Sequence, residues 1–304
     1  MRSGCTILVR VLARRDRWGQ MNDWYQQERF RPFSILHEGD GDHRNGALLV
    51  HGFTGTPDEM RPLAHVLAGL GIDAHAMLQR GMGAEIGQLG EMTARIWKET
   101  GTARWREHVE RYERTILIGF SMGGAVALLQ AAVHPPDLMI LLAPHLRMAD
   151  RRAIALPLVK RFKKELLPFG KTDFSDPEIR TWFEQTMPGL DISDESVQAS
   201  LRTGSRMSTA MLDELRKIGA EGERVAATLR VPTLIIQGHQ DTVALPRHTR
   251  RLVGKTQGLV AYHEIAGDHM LPFDSFPTWP TVRDLVSRAL TARGFTSTGA
   301  ERAS

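Results

Sequence analysis

The sequence has a single cysteine, Cys5, in 304 residues. An intrachain disulfide is therefore excluded, and so are a thiolate zinc cluster and a Cys-x-x-Cys redox motif. Long apolar runs are also missing. The stretch at residues 6–9 is broken by Arg10, too short and too charged to span a bilayer, and interrupted where a signal peptide needs its apolar core. These absences set the expectation of a cytoplasmic protein with no integral membrane segment. Net charge is missing from most of the chain as well. The formal +4 is carried by residues 1–20, where Arg2, Arg10, Arg14, Arg15 and Arg17 face only Asp16. A basic tail is not a basic binding face, so no nucleic-acid partner is expected. Residues 1–30 read as a basic, flexible N-terminal extension, with Met21 as an alternative start.

What is present begins near Gly46. Residues 47–50 are a short apolar run of buried-strand type, and 72–78, 115–120, 138–142, 231–236 and 259–265 are further strand candidates. Helical patterns fall between them at 57–70, 91–111 (bent or broken at Gly101), 122–133, 247–253 and 281–292. Strands alternating with helices predict an α/β protein whose mostly parallel central sheet is covered by helices on both faces. Residues 146–225 break the alternation. They offer no good strand, but show a helix start at Ser175-Asp176-Pro177-Glu178 and an apolar stripe at Met207, Met211, Leu215 and Ile218. The economical division is a core of 31–145 and 226–295 with a helical cap, 146–225, over one end of the sheet.

The segment Gly119-Phe120-Ser121-Met122-Gly123-Gly124 contains the pattern Gly-x-Ser-x-Gly. With glycine near 7% of residues, that pattern arises by chance in roughly one chain in ten of this length. Its setting is more informative. In an open parallel sheet, ligands bind at the carboxyl ends of strands. Ser121, Asp241 and His269 each follow a predicted strand, in the order Ser, Asp, His. Ser121 would be the nucleophile, His269 the base that takes and returns its proton, and Asp241 the carboxylate that orients the imidazole. Gly119 and Gly123 are the elbow glycines, placed where strand and helix pass too closely for a Cβ. Asp268 is the rival acid; His51 and His239 read as structural.

Together, "HGFTGTPDEM" (51–60), "GFSMGG" (119–124) and "GDH" (267–269) resemble the α/β-hydrolase superfamily, in particular its bacterial carboxylesterase and monoacylglycerol lipase branch. The resemblance covers residues 33–292. It implies an α/β-hydrolase fold with a cap insertion. It also implies an oxyanion hole formed by the backbone N–H groups of Phe53 and Met122. One departure stands out: where the family commonly has Gly-His-Gly, this chain has Gly81-Met82-Gly83, which puts the pocket wall there in question.

Other motifs fail. His263-Glu264 is not a zincin, because Gly267 stands at the second histidine position, and Thr249 replaces the first glycine of a P-loop before Gly254-Lys255-Thr256. No metal and no cofactor are implied. The expected substrate is a small acyl ester of short to medium chain, with monoacylglycerols as one candidate, hydrolysed through an acyl-enzyme. Met187, Met207 and Met211 are the candidate pocket residues. An acyltransferase using the same intermediate, or a binding protein with little turnover, are the alternatives. The basic run Arg147, Arg151, Arg152, Lys160, Arg161, Lys163 and Lys164 reads as a solvated face, with an anionic lipid surface as the alternative, and no feature fixes an oligomeric state.

Overall fold

Strand burial follows from the composition of the runs. In the computed structural model, which describes residues 23–38, 43–160, 162, 165–204 and 207–295, the strand Leu138–Leu142 is buried at every position. Such a run suits a strand covered on both faces. The sheet is built from β1 (Phe33–Ile35), β2 (Asn45–Val50), β3 (Asp73–Met77), β4 (Arg114–Phe120), β5 (Leu138–Leu142), β8 (Thr233–Gly238) and β9 (Val260–Ile265). Their order is β1-β3-β2-β4-β5-β8-β9. Only β1 is antiparallel, pairing Phe33 with Ala76; the other pairs are parallel.

Alternate residues of these strands feed two cores. On one face, Leu49, Ile118, Ile140 and Ile236 meet Leu63 and Leu67 of α1 (Arg61–Gly69) and Val282 and Val286 of the terminal helix Trp279–Ala292. On the other, Leu48, Leu117, Met139 and Ile235 meet Trp97 and Trp105 of α2 (Ala94–Arg111), the apolar α3 (Met122–Val133) and Leu252 of the helix Pro246–Val253. Large side chains removed from water on both faces supply the main driving force for this layering.

Several boundaries differ from the expectation. The first helical segment starts as a 3-10 turn, Pro57–Met60, and becomes α-helical only at Arg61. α2 begins at Ala94, where the Thr93 hydroxyl caps the Ile96 N–H, and it runs unbroken through Gly101. There, an added Cβ would lie 2.8 Å from Val126 of α3, so Gly101 serves close helix packing rather than a bend.

Between β5 and β8 lie α4 (Leu156–Val159), α5 (Pro177–Thr186), α6 (Glu195–Gly204) and α7 (Thr209–Ala226). The predicted start at 175–178 appears as α5, with Asp176 capping the Glu178 N–H. Two short strands, β6 (Glu165–Leu166) and β7 (Met207–Ser208), pair antiparallel within this segment; two-residue strands leave no periodicity to read. α7 packs against α3, so the segment's last helix belongs to the sheet-covering layer as much as to a cap. The helices Pro246–Val253 and Trp279–Ala292 are α8 and α9. Among the described residues, no helix is long and apolar enough to cross a membrane.

The N-terminal expectation requires correction. Residues 1–22, including the basic tail and Met21, lie outside the described residues. Residues 23–30, assigned above to a flexible extension, pack into the molecule. Trp24, Tyr25 and Phe30 are buried, and Trp24 Nε1 and Tyr25 Oη donate to Pro188 O and Thr54 O. Three aromatic side chains with apolar surface to bury outweigh the basic character of the residues before them.

Candidate active site

Ser121 is the single residue between β4 and α3, with φ 52° and ψ −118°. Such a conformation costs about 1–3 kcal/mol and persists only where neighbours enforce it. Here, the Ser121 N–H donates to Leu142 O, and its carbonyl accepts from His145 N–H at 2.8 Å. The closeness of strand and helix explains Gly119 and Gly123. A Cβ on Gly119 would lie 2.5 Å from Gly123 O, and one on Gly123 would lie 2.1 Å from Val50 O.

His269 reaches this turn from beyond β9. Its Nε2 lies 3.0 Å from Ser121 Oγ, and its Nδ1 lies 2.7 Å from Asp241 Oδ2. A carboxylate only accepts, so Nδ1 carries the proton and Nε2 is left to accept from the serine hydroxyl. Asp241 follows β8, and its Oδ1 accepts the Val243 and Ala244 N–H groups, each at 2.8 Å. Its Oδ2 also accepts from Gln237 Nε2, while Thr249 Oγ1 donates to Gln237 Oε1. Gln237 was not anticipated; a buried polar residue inside an apolar strand was its only signal. Asp268 instead accepts from its neighbour Met270 N–H. His239 is exposed and its Nδ1 meets Ile265 O.

The loop after β2 approaches the serine from the other side. Gln79 N–H donates to His51 Nε2, so His51 Nδ1 carries the proton and donates to Gly52 O. Burial pushes the His51 imidazole down to about 4 despite that bond, so it is neutral and shapes the loop. Phe53 lies between two anchored residues. Gly52 N–H donates to Glu59 Oε2 at 3.0 Å, and Thr54, at φ 59°, has its carbonyl held by Tyr25. Burial drives the Glu59 carboxyl up to about 8, with Asp58 adding to the Gly52-opposed shift. Neither Tyr25 nor Glu59 was predicted here. Met122 opens α3, where N–H groups have no intrahelical acceptor and the helix dipole is positive.

Ser121, Met122, Phe53 and His269 line a cavity of about 660 Å³. Met187 and Met207 line it too, with Trp24, Phe169, Trp182, Leu215 and Phe273. Met211 does not. It is buried in the core, while Leu215, one turn further along the same helix, lines the cavity. Met82, held in question above, is fully buried away from the cavity, so the missing histidine does not alter the wall. Asp58, Glu59, Asp150, Glu184 and Asp274 line the cavity, Glu59 as a neutral acid, and among the described residues no arginine or lysine joins them. Arg147, Arg152 and Lys160 pair with Glu223, Asp150 and Asp213.

Known proteins resemble this chain in sequence and in fold. A thermostable monoacylglycerol lipase from Bacillus sp. (strain H-257) is 36% identical over 90 residues, 30% of this chain and 36% of that protein. The matched stretches span between 36% and 51% of the curated relatives' own lengths. Among solved structures, one described under the metagenome-derived lipolytic enzymes LipS and LipT superposes with a TM-score of 0.67 at 22% identity, covering 88% of this chain and 98% of that one. A monoacylglycerol lipase from Paleococcus ferrophilus superposes with a TM-score of 0.64 at 17% identity, covering 86% and 98%. The sheet, the helices around it and these likenesses are those of the α/β-hydrolase fold. The family model Hydrolase_4, described as serine aminopeptidase, S33, matches residues 41–274, so the chain belongs to that family of α/β-hydrolases.

Proposed function

We propose that the protein is a serine-dependent carboxylic ester hydrolase that works through an acyl-enzyme on uncharged acyl esters of short to medium chain, monoacylglycerols included. The observation that carries this reading is the unbroken hydrogen-bond chain Ser121–His269–Asp241 at the floor of an apolar cavity. In the acylation step Ser121 Oγ attacks the ester carbonyl while His269 Nε2 takes its proton. Asp241, held by two backbone N–H groups and Gln237, stabilises the imidazolium. The N–H groups of Phe53 and Met122 stabilise the tetrahedral oxyanion, and such a donor is worth about 10²–10³ in rate. His269 then gives the proton to the leaving alcohol, and water repeats the sequence to release the acid.

The substrate class rests on the cavity. Its mainly apolar wall and about 660 Å³ suit an acyl chain with a small alcohol. Acidic groups at the lining disfavour a substrate that brings its own carboxylate. The test is a hydrolysis profile across p-nitrophenyl and glyceryl esters of increasing chain length, with a hemisuccinate ester and Ser121→Ala as controls. The reading expects a preference within the uncharged short to medium esters, poor turnover of the hemisuccinate, and loss of activity in the variant. Equal turnover of the hemisuccinate contradicts the substrate class. Transfer to an added alcohol in place of water turns the assignment into an acyltransferase.

A further inference from the structure

A second constellation lies at the opposite end of the sheet, where the parallel strands begin. Asp73 is the first residue of β3 and is fully buried. His37 Nδ1 lies 3.0 Å from Asp73 Oδ1, and His43 Nδ1 lies 2.8 Å from Asp73 Oδ2. The three ligand-type atoms all fall within 4.8 Å of one another. The two imidazole rings are 4.4 Å apart. We propose that His37, His43 and Asp73 form a binding site for one divalent transition cation of the zinc class, unrelated to the ester chemistry at Ser121.

Two imidazole nitrogens and one carboxylate oxygen are a donor set suited to such an ion, and three protein ligands leave a fourth position for water. Ligand bonds of about 2.0–2.2 Å put tetrahedral donor atoms roughly 3.3 Å apart. The two imidazole–carboxylate separations, 3.0 and 2.8 Å, need open by only a few tenths of an ångström, as the ion replaces the hydrogen bonds between imidazole and carboxylate. His43 is half exposed, which gives the ion a way in, while His37 and Asp73 are shielded.

A supporting shell is already assembled. The His37 backbone N–H donates to Asp73 Oδ1, and Tyr112 Oη donates to Oδ2 at 3.1 Å. With its proton so used, Tyr112 accepts from His75 Nε2 at 2.5 Å, and His75 Nδ1 in turn accepts from Ser34 Oγ at 2.7 Å. This directional chain, Ser34 to His75 to Tyr112 to Asp73, orients the carboxylate as outer partners orient metal ligands. No motif announced it, because thirty residues separate His43 from Asp73. The ion would fasten His37 and His43 to the start of β3.

The full chain, stripped with chelator and dialysed, is titrated with zinc chloride against a chromophoric competitor, and Tm is recorded with and without the metal. One equivalent is expected to bind, with Tm rising by roughly 3–6 °C at a hundredfold excess over Kd. His43→Ala, compared with its own metal-free form because it also loses the hydrogen bond to Asp73, binds no equivalent and shows no metal-dependent rise in Tm. His263→Ala, at an exposed histidine of β9, keeps both. Wild type without a stoichiometric equivalent, His43→Ala binding as wild type does, or loss in His263→Ala overturns the proposal.

Discussion

Glu59 couples its own protonation to the loop that carries Phe53. Its carboxyl ordinarily titrates near 4.5 and here is pushed up to about 8, chiefly by burial. The folded state therefore holds this proton between those values while the unfolded chain releases it. Stability from this group is complete below pH 4.5 and is lost as pH rises toward 8. Glu59→Gln keeps an oxygen for the Gly52 N–H and removes the titration. The variant should match wild type in Tm near pH 4.5 and exceed it progressively to pH 8; parallel Tm curves for the two proteins would count against a buried, neutral Glu59. The residues legible in the sequence were those with a rigid positional meaning: a serine between two glycines, and an acid and a histidine after strands. Tyr25, Glu59 and Gln237 were not, because each acts through a contact made only when distant segments meet.

At the scale of elements, α3 and β5 were readable to the residue. Glycine and serine mark the start of the helix at Met122, and Pro135-Pro136 end it. Elements defined by tertiary contact were not. Gly101 looked like a break and is a helix crossing, and the β6–β7 pair is too short to leave a pattern. The elbow between β4 and α3 is the element on which the site depends, and its glycines can be tested. Gly123→Ala forces a Cβ against the Val50 carbonyl. It should lower stability by at least the overpacking cost of about 1–3 kcal/mol, seen as a drop in Tm, and reduce ester hydrolysis by roughly 10²-fold or more. Gly69→Ala, in α1 with nothing within 4 Å of the added carbon, should be neutral or slightly stabilising. Wild-type activity in Gly123→Ala would mean that the close approach is not required.

Across the whole molecule, acid sensitivity follows from histidines buried as neutral groups. Burial lowers His51 to about 4, and burial with the nearby His269 lowers His145 to about 4. Against an ordinary value of 6.5, each contributes stability that is complete above pH 6.5 and is lost as pH falls toward 4. In the Glu59→Gln background, the unfolding free energy should fall from pH 6.5 to 4 by about 1.4 kcal/mol per pH unit for each histidine, and the urea midpoint with it. A flat midpoint over that range would show that these imidazoles are protonated in the folded state. Across the sheet, Ser121 stands at a strand's carboxyl end and lines the cavity beside His269, and covalent labelling reads its reactivity directly. A fluorophosphonate, which reacts only with an activated serine, should modify the chain once, on the peptide containing Ser121, with matching loss of ester hydrolysis. Ser121→Ala should take up no label and lose roughly 10⁵–10⁶-fold in kcat. Stoichiometric labelling elsewhere, or hydrolysis that survives in folded Ser121→Ala, would contradict the account.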